Sequence, residues 1–288
     1  MGRVKQPLLL CFIALTLVAC STTSTGRRQL TLVPEKRAIS ASERAYNSEM
    51  AVLYREGRLI QDPTLLKRID TITGRLIAQA IERRPESADW KWSVEIIDDP
   101  NTVNAWCMAG GRMAIYTGLL IRIQPTDDEL AQVMGHEISH ALENHTAERM
   151  SIAMASAAGV VAVGVISNRP LVAMGATAAA ASLAIKLPNS RKSETEADVV
   201  GLELAAKAGY DPRAAITLWQ KMAAVSGDGP PQFVSSHPAP GNRQETLRQL
   251  VPEMMPYYEA QVERPVYELV RSKYEVKQPA TGEETSGS

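Results

Sequence analysis

Aromatic residues make up only 5% of this 288-residue chain, and it holds three cysteines and four histidines. So few cysteines exclude the disulfide framework of a small secreted scaffold. The formal net charge is -1 and no Lys/Arg-rich run appears, so the electrostatic footprint of a nucleic-acid partner is missing. There is no internal repeat, and the N-terminal apolar run, Leu8 to Val18, is short for a bilayer span. What remains is ordinary for a folded domain: 45% hydrophobic and 22% charged, with ample length for a core. Abundant alanine beside scarce aromatics tips the balance towards helices.

Arg3 and Lys5 precede the apolar run, which ends in Leu17-Val18-Ala19-Cys20 before a Ser/Thr-rich stretch. The arrangement resembles a bacterial lipobox: residues 1–19 as a lipoprotein signal peptide, with Cys20 acylated as the mature N-terminus. Ser21 resembles the outer-membrane sorting pattern, which implies a lipid-anchored protein on the periplasmic side of the outer membrane. The alternatives are an uncleaved anchor or an ordinary signal cut after Ala19. Residues 20–40 then read as a lipidated tether, 41–262 as the main domain and 263–288 as a tail with a disordered end. Cys107 has no base near it in sequence and reads as a packing residue.

A helix is expected from Ser42 to Ile60. Asp62-Pro63 starts another through about Arg84, with Leu65, Ile69, Ile72 and Leu76 on one apolar face. Trp90 to Ile97 alternates as a strand does, and Thr102–Met108 and Arg112–Tyr116 form short strands around Gly110-Gly111. Thr126 and Glu129 make a capping box opening a long helix through roughly Arg149. Residues 151–187 form an apolar helical hairpin, read either as a tightly packed core pair or as a shallow contact with bilayer or partner. Helices follow at Glu194–Lys207, from Asp211-Pro212 to about Val225, and from Asn242, with a flexible loop at Gly227–Pro231. The fold class is α+β, mostly helical, with a small sheet beside the capped helix.

The chemistry centres on His136-Glu137-Ile138-Ser139-His140 within that helix. Positions i and i+4 share a face, so both imidazoles can bind one Zn2+, with Glu137 beside them as general base. A catalytic zinc needs a third protein ligand. Continuing the helix turns His145 well off the ligand face, leaving it a helix-surface or supporting residue. Glu194 and Asp198, again i and i+4, offer one carboxylate for the metal and one to orient an imidazole. Glu196 points away and reads as solvated.

With the SETEAD segment around Glu194 and the stretch from Asn104 through Gly110-Gly111 to Leu120, the HEISH resembles the HtpX/Oma/BepA-type zinc metallopeptidases, nearest the LoiP-like periplasmic lipoprotein branch. The resemblance covers about residues 40 to 250. It implies a zincin-like (gluzincin) domain, one zinc per chain held by His136, His140 and Glu194, and Asp198 as the orienting residue. It also implies an edge strand, here about Arg112 to Tyr116, that binds extended substrate by β-augmentation, with Asn104, Gly110, Gly111, Arg112, Ala114 and Tyr116 as contacts. Ser235-Ser236-His237-Pro238 followed by Arg243 resembles a further family signature. His237 either stabilises the oxyanion or binds zinc as a fourth ligand, and Arg243 steadies substrate or the carboxylates. The implied function is an envelope endopeptidase acting on unfolded or misassembled proteins with metal-activated water, with outer-membrane assembly factors as partners. The competing reading is an envelope chaperone or scaffold whose zinc site is closed by His237. The family usually has Pro where this chain has Ala109, and the long tetratricopeptide-repeat extension of BepA-like members has no counterpart here.

Overall fold

The computed structural model describes residues 20–166, 189–225, 231–238, 241–260 and 262–269. The signal peptide, the second arm of the apolar hairpin, most of the 227–231 loop and the end of the tail lie outside the described residues.

Two antiparallel strands, β1 (Cys20–Thr22) and β2 (Arg28–Leu30), open the described chain as a hairpin turned at Gly26, whose φ is 87°. Thr23 and Gln29 are buried. The segment expected to be a tether is therefore packed onto the domain, because its hydroxyls and Arg27 find buried carboxylates to bond. Helix α1 (Glu35–Arg55) begins earlier than expected, after Pro34. Helix α2 (Pro63–Arg83) starts where the Asp-Pro pair places it: Asp62 Oδ1 accepts from the amides of Thr64 and Leu65 at 2.7 and 3.0 Å.

The main sheet holds β3 (Ser93–Ile97), β4 (Ala105–Met108) and β5 (Arg112–Tyr116) in the order β3-β5-β4. β5 pairs parallel to β3 and antiparallel to β4, so it is the central strand and β4 an edge. This corrects the expectation that Arg112–Tyr116 is the edge.

After α3 (Thr117–Ile123), the capping box forms as read: Thr126 Oγ1 accepts from the Glu129 amide at 3.2 Å and Glu129 Oε2 from the Thr126 amide at 2.9 Å. Helix α4 runs Asp127–Leu142 and stops there, short of the expected Arg149. Asn144 adopts the left-handed conformation (φ 57°), and α5 (His145–Ile166) sets off anew. Among the described residues no helix is long and apolar enough to cross a membrane.

Then come α6 (Arg191–Lys207), α7 (Ala214–Ala224), the short α8 (Gln232–Ser236) and α9 (Arg243–Glu259). Helices α4 and α6 cross at backbone contact. A Cβ on Gly135 would lie 2.8 Å from the Gly201 carbonyl oxygen, and one on Gly201 would lie 2.7 Å from the His136 nitrogen. Leu130, Met134 and Ile138 of α4 join Ile96, Met113 and Ile115 of the sheet, Leu76 of α2 and Leu204 of α6 in one core. The start of the presumed tail also packs. The Tyr267 amide donates to the Gly74 carbonyl at 3.0 Å, and Arg264 donates to the carbonyls of Lys207, Tyr258 and Ala260. The folded unit thus extends past residue 262, because a glycine in α2 leaves room for the returning strand of chain.

Candidate metal centre

His136, Glu137 and His140 project from the buried middle of α4, while Glu194 and Asp198 face them from α6 across the Gly135/Gly201 contact. His237 arrives at the end of α8 and Arg243 as the first residue of α9. The structure brings all seven together, and all are buried.

Donor atoms of His136, His140, Glu194 and His237 lie within 4.8 Å of one another. His136 Nε2 is 3.0 Å from His140 Nε2, 3.3 Å from Glu194 Oε2 and 3.3 Å from His237 Nδ1. Glu194 Oε1 is 3.4 Å from His140 Nε2 and 3.1 Å from His237 Nδ1. Ligands bonded to zinc at about 2.0–2.1 Å in a tetrahedron stand about 3.3 Å apart, so this donor set fits the ion. Three nitrogens and a carboxylate converging in a buried spot is otherwise a costly arrangement.

The supporting contacts differ from ligand to ligand. Asp198 Oδ1 lies 3.0 Å from His136 Nδ1 and accepts from Arg243, whose guanidinium stacks 3.7 Å over the Trp219 ring. Burial alone would lower the pKa of His136, but Asp198 and Glu194 outweigh it and raise it to about 9. Burial opposes ionisation of Glu194, yet the facing imidazoles of His140, His136 and His237 hold its carboxyl well below the usual range. Burial pushes His140 well below the usual imidazole range.

Glu137 is set apart from the ligands. Burial raises its pKa against the pull of His237, His136 and the backbone of Cys107. Its Oε1 has no hydrogen-bond partner, and His237 Nε2 stands 3.3 Å away. Cys107 itself is buried in the core, as a packing residue should be.

A cavity of about 450 Å³ opens beside Glu137, His140 and His237, and strand β4 forms one wall. Asn104 lines it, with its Oδ1 unpartnered. The other expected substrate contacts are placed elsewhere. Gly110 and Gly111 make the β4–β5 turn at φ 86° and 80°, packed against Ile39 and Trp92. Arg112 bonds Ser93 at 3.0 Å and Ala114 is wholly buried, because β5 is covered on both edges. Tyr116 ends the same central strand.

Two further groups escaped the sequence reading. Asn189 accepts from Arg149 and turns its Nδ2 towards His140 Nε2 (3.4 Å) and His237 Nδ1 (3.3 Å); no spacing rule points to it. Glu196, expected to be solvated, is buried and bonds His145, Thr23, Thr25 and Arg27, with its pKa at about 2 although burial opposes ionisation. The sequence held no sign of the hairpin that covers it.

Two imidazoles from one helical turn, a carboxylate from a crossing helix and a buried glutamate beside a sheet edge define a zincin-like metallopeptidase centre. The chain belongs to peptidase family M48, which it matches over residues 64–251 and whose members are zinc-dependent. It is 36% identical over 176 residues to the mitochondrial metalloendopeptidase OMA1 of Arabidopsis thaliana, covering 60% of this chain and 35% of that protein. The OMA1 of Schizosaccharomyces pombe is 33% identical over 198 residues, 66% of this chain and 52% of its own. The beta-barrel assembly-enhancing protease of Yersinia pestis is 29% identical over 209 residues, 69% of this chain and 41% of its own. The chain thus spans between about a third and a half of the length of these relatives.

Proposed function

We propose that this chain is a zinc-dependent endopeptidase, lipid-anchored through Cys20 on the periplasmic side of a bacterial outer membrane, which cleaves unfolded or misassembled envelope proteins. The observation that carries the reading is the convergence of His136, His140 and Glu194 with Glu137 beside a cavity walled by an edge strand. The lipobox pattern and the Yersinia pestis relative named for β-barrel assembly support the envelope setting.

A zinc ion in this donor set would supply Lewis acidity, polarising a scissile carbonyl and acidifying water. The chain's own residues do the rest. Backbone directions alternate along the strand: the Asn104 carbonyl accepts from the Tyr116 amide on the β5 side, so the backbone polar groups of Ala105 and Cys107 point to the open edge. An extended polypeptide adds to that edge, which selects for unfolded chain with little sequence preference. Glu137, whose carboxylate lines the cavity beside His237, takes a proton from the attacking water and passes it to the leaving amine. Asp198 and Arg243 hold His136 in orientation.

A second reading rests on His237. Its Nδ1 already sits within the ligand cluster, so it completes a four-donor set and closes the site, as suits a latent protein acting as chaperone or scaffold. Casein digestion by the zinc-loaded full chain in detergent separates the two. Cleavage should fall by at least about 100-fold in Glu137→Gln with zinc retained, and Cys20→Ser should abolish palmitate incorporation. Wild type and Glu137→Gln that are equally inert yet both suppress aggregation would favour the second reading.

A further inference from the structure

A chain of buried hydrogen bonds runs from the N-terminal hairpin to a metal ligand. Thr23 and Thr25 hydroxyls donate to Glu196 Oε1, and Arg27 Nε donates to Glu196 Oε2 at 2.7 Å. The remaining Arg27 nitrogens grip Glu148 at 2.8 Å each. Glu196 Oε2 lies 2.8 Å from His145 Nε2, and His145 Nδ1 lies 2.7 Å from His140 Nδ1.

Elimination places the protons. A carboxylate that accepts from two hydroxyls and a guanidinium is an acceptor only, so His145 carries its proton on Nε2. A neutral imidazole protonated there has a bare Nδ1, which accepts. His140 is then the donor through Nδ1–H, and its Nε2, facing the ligand cluster, keeps its lone pair. The arrangement parallels Asp198 on His136, with an imidazole and a carboxylate in series where the first histidine has a carboxylate alone.

The geometry points to Glu196 and His145 as positioning residues that fix the Nδ1–H tautomer of His140, with the Cys20–Leu30 hairpin as the clamp that holds Glu196. The segment leading from the Cys20 anchor is then part of the support of the metal site. The same hairpin is fastened a second time: Ser24 donates to Glu143 through its amide at 2.9 Å and its hydroxyl at 2.5 Å. Glu143 lies at the break between α4 and α5, the break that brings His145 beneath His140.

This inference rests on the metal site proposed above, and two readouts on the full chain in detergent keep the failures apart. Nitrogen-15 histidine spectra of the metal-free chain should show His140 protonated at Nδ1 and His145 at Nε2. Zinc affinity, by chelator competition, should fall about 10- to 100-fold in His145→Leu. His145→Gln should recover most of that loss, since its carboxamide can accept from His140 and donate to Glu196. A hairpin variant, Thr23→Val with Thr25→Val and Arg27→Met, should weaken zinc in the same direction and broaden the His140 signal. The hairpin variant carries the test if His145→Leu does not fold. His140 protonated at Nε2, or folded variants with wild-type zinc affinity, would overturn the relay. Wild type that binds no zinc would sink the metal site itself, while the spectrum still decides the relay.

Discussion

At His136 the two ring nitrogens face different partners, Asp198 on one side and the ligand cluster on the other. Asp198 and Glu194 share one helix face four residues apart, yet one orients an imidazole while the other joins the donors. Removing the orienting carboxylate should weaken binding without abolishing it. Asp198→Ala is expected to raise the zinc dissociation constant about 10- to 100-fold, with activity returning at saturating zinc. Chelator-competition titrations followed by casein assays check this, and activity that stays lost at full occupancy would contradict it. That His136 pairs with His140, and Glu194 with Asp198, was legible in the sequence because helical period sets who shares a face, while the choice of Glu194 over Asp198 for the metal came from the family resemblance. Glu196 was misread as solvated, and His145 was left between helix surface and support until the structure buried it against His140. The period was carried through a helix that breaks at Asn144, and solvent was assigned to a face that the hairpin covers.

Among the elements, the crossing of α4 and α6 matters most, since it sets the distance from His136 and His140 to Glu194 and Asp198. Two glycines make it, and each leaves backbone of the other helix where a Cβ would go. Gly201→Ala should push the helices apart, cost about 1–3 kcal/mol of stability and weaken zinc binding together with it. Thermal melts and zinc titration of the same variant check this, and an unchanged zinc affinity would show that the crossing tolerates the added carbon. The capped starts of α2 and α4 were legible because caps are local chemistry. Strand order was not. A turn at Gly110-Gly111 shows that two strands form a hairpin, but which of them meets β3 depends on contacts from distant segments. Placing β5 in the centre moves the candidate substrate edge to β4, which walls the cavity beside Glu137.

For the whole molecule, the ends of the described chain are fastened to the core rather than trailing from it: the hairpin by Glu196, Glu148 and Glu143, and residues 262–269 along α2. Neither segment has the periodicity that marks a core element, so the sequence read the first as a tether and put most of the second in a tail. Glu196 makes the N-terminal fastening sensitive to acid. Its pKa is lowered from the ordinary 4.5 to about 2, with burial opposing and His145, Thr23, Thr25 and Arg27 favouring ionisation. The unfolded chain binds the proton more readily, so this share of stability is complete above 4.5 and lost as pH falls through about 2. Hydrogen exchange of the Thr22–Leu30 amides, corrected for intrinsic rate, should rise in that window ahead of the core, and Glu196→Gln should remove the step. Uniform exchange with the core would contradict it. The central claim is that His136, His140 and Glu194 hold one zinc beside a base that binds none, and metal analysis of three proteins tests it most directly. After equilibration with a zinc-buffering chelator, wild type and Glu137→Gln should each retain one zinc per chain and Glu194→Ala none; equal zinc in all three, or none in wild type, would contradict it.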